Sequence, residues 1–167
     1  TGDIDAKKAQ LTINVQKTTI SLNKIDADTK ETTPQGKASL DGAIYNLYDE
    51  NNNFIDTLEI IDNTAEIHNL NYGKYYLKEE KAGVGYNLDT NTYEINLSKE
   101  TPIIEKTLEN KVIKAKVTIN KQYGDSNNMK NEENINFNLY NSKNDLYKTL
   151  ITDDKGNIEI ELPYDTY

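Results

Sequence analysis

The sequence predicts an all-β protein built from tandem β-sandwich domains, with the second domain incomplete. Apolar and polar residues alternate in many short runs, and clusters of Gly, Asn, Asp and Ser separate these runs. Short alternating strands divided by turn residues are typical of a sandwich or a barrel. The chain also repeats itself, because residues 46–75 match residues 138–167 at a constant offset of 92, with ten identities and no gap. A repeat of about ninety residues indicates tandem domains rather than a solenoid.

The predicted strands follow one another at short intervals along the chain. Alternation is clearest in residues 11–15, 20–23, 44–48, 73–77, 93–97, 117–119 and 158–162. Residues 103–111 fit either a helix or a final strand of the first domain. A strand is favoured because Leu108 and Val112 continue the alternation.

The repeat and the turns divide the chain into three parts. Residues 1–17 are interpreted as a linker or the end of a preceding domain, residues 18–112 as a first complete domain, and residues 113–167 as the N-terminal part of a second. The second copy stops before counterparts of the last strands of the first. A sandwich without those strands has an open edge, so we expect a longer natural chain or another segment to complete it.

The composition excludes several classes of function. A net charge of −9 argues against binding to nucleic acid or to anionic lipid, and no apolar run is long enough for membrane insertion. With no cysteine, the chain can have neither a disulfide nor a thiol nucleophile. His68 is the single histidine and belongs to no hydrolase triad. The Asp-rich stretches that begin at Asp26 and at Asp153 are interpreted as turns, because they lack the spacing of a calcium loop, and no metal and no cofactor are predicted.

Three polar residues continue rows of apolar residues that should face the core. Lys24 follows Ile20 and Leu22 in strand parity, Glu79 follows Tyr75 and Leu77, and Asn110 follows Leu108. Parity alone leaves an alternative open, because a lysine at a strand end commonly extends to solvent and a terminal glutamate can be exposed.

Three stretches of the chain resemble the Cna protein B-type family, the prealbumin-like β-sandwich domains of Gram-positive surface adhesins and pilins. They are Leu22–Asp26 followed by Leu40–Tyr48, then Gly73–Glu79 with Ala82 and Gly85-Tyr86, and finally Asn110-Lys111. The resemblance covers residues 18–112 in full and residues 113–167 as a truncated copy. Gly83 departs from it, since the family usually has proline there, and this affects only the stiffness of the turn.

The resemblance implies an intramolecular isopeptide bond. Lys24 would be the nucleophile, Asn110 the electrophile, and the buried Glu79 the group that promotes the reaction. Burial is consistent with this role for Lys24, because an amine attacks only when neutral and an apolar environment lowers the pKa of a lysine. In the second copy Lys121 is the matching lysine. Its partners would lie beyond Tyr167, so we expect it to be unreacted in this chain.

Together, these expectations predict that the chain is a structural stalk segment of a cell-surface adhesin or pilus-like protein, located outside the cell at the wall. Its partners would be neighbouring domains of the same surface protein. It would not be an enzyme, because the bond forms once and needs no cofactor. The alternative is a ligand-binding adhesin module that recognises a host matrix protein or glycan, which the many tyrosines leave open.

Overall fold

A computed structural model describes residues 17–167. The alternating run at residues 11–15, and all of the predicted linker except its last residue, lie outside this range. The described residues form thirteen strands and no helix, which confirms the all-β prediction. No helix in this part of the chain is therefore available to cross a membrane.

The first seven strands form two sheets that face each other. They are β1 (Thr19–Asp26), β2 (Ile44–Asp49), β3 (Phe54–Glu59), β4 (Thr64–His68), β5 (Gly73–Lys81), β6 (Thr92–Leu97) and β7 (Ile103–Asn110). One sheet has the order β4-β1-β7 and the other the order β3-β2-β5-β6. Only the β1–β7 pair is parallel among these neighbours, so the first and last strands of the sandwich run side by side in the same direction.

The core of this first sandwich lies between the two sheets. Burial alternates strictly along β1, where every second residue from Ile20 onward is buried. This is the period of a strand with one face on a core. The same alternation on the other strands brings together an apolar cluster: Ile20, Leu22, Ala43, Tyr45, Leu47, Leu58, Ile60, Tyr75, Leu77, Ile95, Leu97 and Leu108.

The remaining six strands form the second repeat. They are β8 (Lys114–Asn120), β9 (Gln122–Tyr123), β10 (Lys130–Asn131), β11 (Asn136–Tyr140), β12 (Leu146–Ile151) and β13 (Asn157–Pro163). They pair as β13-β8, β11-β12 and β10-β9. The hairpin β11–β12 reproduces β2–β3, including a register shift at the equivalent place. A side-chain hydrogen bond is reproduced as well: Thr57 donates to Asn46 and Thr149 to Asn138, each over 2.9 Å.

The repeat is not free of gaps, contrary to the sequence alignment. Asn23 pairs with Thr64 in the first sandwich, whereas Asn120 of the second repeat pairs with Asn157. The offset between these two partners is 157 − 64 = 93 rather than 92. The turn that precedes β13 therefore holds one residue more than the turn that precedes β4.

The two repeats contact each other around Tyr164. The backbone N–H of Lys37 donates to the Tyr164 carbonyl over 2.9 Å, and the N–H of Ile113 donates to the Gly85 carbonyl over 2.8 Å. Gly85 has a positive φ of 78°. A Cβ on Gly85 would lie only 2.6 Å from the Tyr164 ring. The close approach of this ring explains why glycine suits position 85 beyond its turn conformation.

Candidate functional site

Lys24 lies inside the first sandwich and does not reach solvent. It is the third inward-facing residue of β1, and only 1% of its surface is exposed. A lysine in this position must find polar partners, because an unpaired buried ammonium costs several kcal/mol or more. Its Nζ contacts the Tyr45 hydroxyl and the Asn110 Oδ1, and lies 3.2 Å from Glu79 Oε1.

Asn110 reaches Lys24 because β1 and β7 are parallel neighbours. The register places Lys24 opposite Leu108 and Asp26 opposite Asn110, so the two side chains lie two residues out of step. The long lysine side chain spans that offset. Asn110 is 2% exposed. Its Nδ2 donates to Glu79 Oε2 and to the Asn87 carbonyl, each over 2.7 Å.

Glu79 comes from the facing sheet and connects the other two groups. It is the inward residue that follows Leu77 on β5, and its side chain has no exposed surface. One oxygen accepts from Lys24, and the other accepts from Asn110 Nδ2 and from the Asp89 backbone N–H over 2.6 Å. A single carboxylate therefore touches both the lysine amine and the nitrogen of the asparagine amide.

Tyr45 is a member of the cluster that sequence reasoning missed. It lies on β2 directly opposite Glu79 of β5 and is completely buried. Its hydroxyl donates to Glu79 Oε1 over 2.8 Å and accepts from Lys24. Tyr45 shares its strand parity with the buried Leu47, but parity alone does not give the register that sets it beside Glu79.

Burial controls the electrostatics of this cluster. Desolvation lowers the pKa of Lys24, although the negative charge of Glu79 opposes the shift. Desolvation also raises the pKa of Tyr45, and Glu79 raises it further. Burial thus makes the Lys24 ammonium easier to deprotonate than that of a free lysine, and the Tyr45 hydroxyl harder to deprotonate than that of a free tyrosine. No buried side-chain nitrogen or oxygen in residues 17–167 lacks a hydrogen-bond partner.

A cavity of about 510 Å³ lies beside Asn110 at the end of the sandwich. Its lining includes Asn87, Asp89, Tyr93, Glu109 and Asn110. Asp89 is held by hydrogen bonds from Tyr93 and Asn91. Asn110 thus lines this cavity, whereas Lys24 is not among its lining residues.

A second buried carboxylate, Asp26, has a structural rather than a chemical environment. It was interpreted from the sequence as a turn residue, but it is the last inward residue of β1 and is fully buried. It accepts from Tyr86 over 2.8 Å, from the backbone N–H groups of Asp28 and Thr29, and from Gln35. Groups of the protein itself thus supply the hydrogen bonds that this buried carboxylate needs, and the same bonds fix the loop after β1.

Lys121 lies in a different environment from Lys24. It follows β8 directly and forms an ion pair with Glu132 over 2.7 Å, with 34% of each side chain exposed. Its Nζ also donates to the Gln122 carbonyl over 3.0 Å. Lys121 is thus accessible to solvent, and its lack of reaction in this chain stays a prediction.

A two-sheet sandwich with Lys24, Glu79 and Asn110 together in its core is the arrangement that the resemblance of the sequence motifs implies. The family model of the SpaA prealbumin-like fold domain matches residues 18–112. The chain belongs to this family, which confirms the resemblance that the sequence motifs indicated. The fold, an all-β prealbumin-like sandwich followed by a partial second copy, agrees with that membership.

Similar proteins include a streptococcal surface protein and a streptococcal pilus backbone protein. The trypsin-resistant surface T6 protein of Streptococcus pyogenes serotype M6 is 37% identical over 93 residues, which are 55% of this chain and 16% of that protein. The Bacillus anthracis TIE protein has a TM-score of 0.72 at 23% identity, covering 90% of this chain and 28% of that chain. The group B streptococcus pilus 2b backbone protein has a TM-score of 0.51 at 26% identity, covering 66% and 46%. The chain thus spans less than half of each of these proteins. The similarities support a structural role in a pilus or other surface protein.

Proposed function

We propose that this chain is a stalk segment of a Gram-positive surface adhesin or pilus-like protein, and that an isopeptide bond between Lys24 and Asn110 locks its first sandwich. The observation that carries the proposal is the buried contact of the Lys24 amine with the Asn110 amide, with Glu79 in hydrogen-bond reach of both. The segment would lie outside the cell at the wall, with neighbouring domains of the same surface protein as its partners.

The chemistry follows from the positions of the three groups. The neutral Lys24 Nζ attacks the Asn110 side-chain carbonyl carbon, and the amide nitrogen leaves as ammonia. Glu79 promotes the step by moving protons between the amine and the departing nitrogen, because its two oxygens face one of them each. Folding holds the reactants together, which is worth an effective concentration of roughly 10⁵ M or more. The cavity beside Asn110 gives the ammonia a path to solvent.

The bond suits a load-bearing role because of where it lies. β1 and β7 are parallel neighbours, and Lys24 and Asn110 lie near the C-terminal ends of the two strands. Tension that enters through β1 would cross the bond and leave after Asn110. The 86 positions between the two residues would bear none of it. The same closure protects against proteolysis, a property stated in the name of the trypsin-resistant T6 protein.

Intact mass is the direct test of this proposal. Bond formation releases one ammonia, so the chain should weigh about 17 Da less than its sequence requires. A tryptic peptide that joins the Lys24 and Asn110 segments would locate the bond. A wild-type chain of full mass would overturn the proposal.

The role of Glu79 is tested by Glu79→Ala, which should restore the full mass. The matched control is Glu80→Ala, since Glu80 is the next residue of β5 and faces solvent. The control should keep the loss of mass, and circular dichroism should show that both variants are folded. If Glu79→Ala folds and still loses about 17 Da, Glu79 does not promote the bond.

A further inference from the structure

The Tyr45 hydroxyl lies between two groups that must exchange a proton. It contacts Lys24 Nζ on one side and donates to Glu79 Oε1 over 2.8 Å on the other. The direct separation between Lys24 Nζ and Glu79 Oε1 is 3.2 Å. That is longer than the ~2.7–2.9 Å typical of a hydrogen bond between an ammonium and a carboxylate. The tighter hydrogen-bonded path from the amine to the carboxylate therefore passes through the tyrosine.

The second repeat holds an aromatic ring without a hydroxyl at the position equivalent to Tyr45. Tyr45 pairs with Leu58 in the hairpin β2–β3, and Phe137 pairs with Leu150 in the hairpin β11–β12. The same hairpin, with the same register shift, thus holds phenylalanine where the first sandwich holds tyrosine. The hydroxyl of Tyr45 accordingly calls for a reason other than the shape of the core.

We propose that Tyr45 is a catalytic residue of the isopeptide reaction and that its hydroxyl relays a proton from the Lys24 ammonium to Glu79. The inference rests on the proposed Lys24–Asn110 bond and adds a fourth group to it. The hydroxyl accepts one proton from Nζ and passes its own to Glu79 Oε1, so the tyrosine ends the step unchanged. Burial keeps the hydroxyl protonated throughout, because burial and Glu79 raise the pKa of Tyr45.

The protons and bonds balance around this relay. The Lys24 ammonium loses its first proton through Tyr45 to Glu79, and the resulting amine forms a bond to the Asn110 side-chain carbonyl carbon. The carbon–Nδ2 bond breaks, and a second proton from Nζ converts the Asn110 NH₂ group into ammonia. Glu79 either keeps the first proton or gives it to the ammonia, which then leaves as ammonium. The product amide retains one hydrogen on Nζ.

The charged and titratable surroundings of the relay come from several elements. Glu79 of β5, Asp89 of the loop before β6 and Glu109 of β7 act on Lys24, and Tyr93 of β6 is close to Tyr45. All three carboxylates favour the ammonium form of Lys24 and so oppose the lowering of its pKa by burial. A route that removes the ammonium proton is therefore of direct value for the rate.

The test is the rate of bond formation during folding, measured for the whole chain and for Tyr45→Phe. Protein is recovered in denaturant from inclusion bodies, in which the chain has not folded, its full mass is verified, and folding is started by dilution. Acid-quenched samples are then weighed for the loss of about 17 Da. Positioned proton transfer is worth ~10²–10⁴-fold in rate, so we expect Tyr45→Phe to react at least about tenfold more slowly. The matched control is Tyr75→Phe, a core tyrosine whose hydroxyl bonds the Asn71 carbonyl away from the site, and its rate should equal that of wild type.

The pH dependence separates a relay from a packing role. At higher pH more chains fold with Lys24 already neutral, so the rate of Tyr45→Phe should rise towards that of wild type. A variant that is slow by the same factor at every pH, or one as fast as wild type, would overturn the relay. A wild-type chain that never loses mass would instead overturn the bond itself.

If Tyr45→Phe fails to fold, fluorinated tyrosine at position 45 replaces it, because it keeps the packing and changes the acidity of the hydroxyl. A rate that is insensitive to that acidity would also overturn the relay.

Discussion

The length of chain released under force is the most direct mechanical consequence of the proposed bond. If Lys24 and Asn110 are joined, a pull on the two ends of the chain cannot extend the residues between them. Asn110→Ala removes the electrophile and opens that span. The two residues are 86 positions apart, and an extended chain spans 3.3–3.6 Å per residue, so the variant should release roughly 280–310 Å more contour length than wild type.

Single-molecule force spectroscopy measures this length directly. Wild type should unfold without a step of roughly 300 Å from the first sandwich, and Asn110→Ala should show one. Glu109→Ala is the matched control, because Glu109 is the preceding residue of β7 and its exposed side chain forms an ion pair with Lys30 outside the core. The control should behave as wild type. A wild-type chain that shows the same long step would refute a covalent path between the two strands.

Three further predictions concern stability. Closing a loop of 86 residues disfavours the unfolded state by about 4–5 kcal/mol, so Asn110→Ala should unfold at a clearly lower urea concentration than Glu109→Ala. Burial would raise the pKa of Asp26, but its hydrogen bonds from Gln35, Tyr86 and the loop lower it below 3.8; its stabilisation is complete above that pH and is lost as the pH falls through the folded-state pKa. The stability gap between wild type and Asp26→Asn should therefore narrow in acid, and a gap that widens there would contradict this. Gly85→Ala should cost more thermal stability than Gly42→Ala, because both have positive φ but only the first adds a clash with Tyr164; equal losses would show that the contact between the repeats contributes nothing.

The sequence predicted the fold class because alternation reports directly on burial. Lys24 and Asn110 are buried on the same faces as Leu22 and Leu108, in the order that strand parity requires. The weak point of the sequence was the register between strands that are distant in the chain. Nothing in the order of residues states that Tyr45 lies opposite Glu79.

Asp26 is a second residue whose environment could not be predicted from the sequence. Its place at the start of a turn-rich segment favoured a turn, yet it is the fourth member of the inward row of β1. The partner that makes its burial tolerable is Tyr86, which is 60 positions away. A buried carboxylate is stable only with such donors, and only the folded structure supplies them.

On the proposed chemistry, the division of the site between the two sheets would let the completed fold act as the catalyst. Lys24 and Asn110 come from the sheet β4-β1-β7, whereas Tyr45 and Glu79 come from the sheet β3-β2-β5-β6. The reactants therefore meet when β1 pairs with β7, but the groups that move protons arrive only when the sheets pack. On the proposed chemistry, a chain with one sheet formed has an amine and an amide in contact and no means to join them. The covalent bond would thus form only in a completed sandwich. It would then fix the native register of β1 and β7, and it could not fix a wrong register formed earlier in folding.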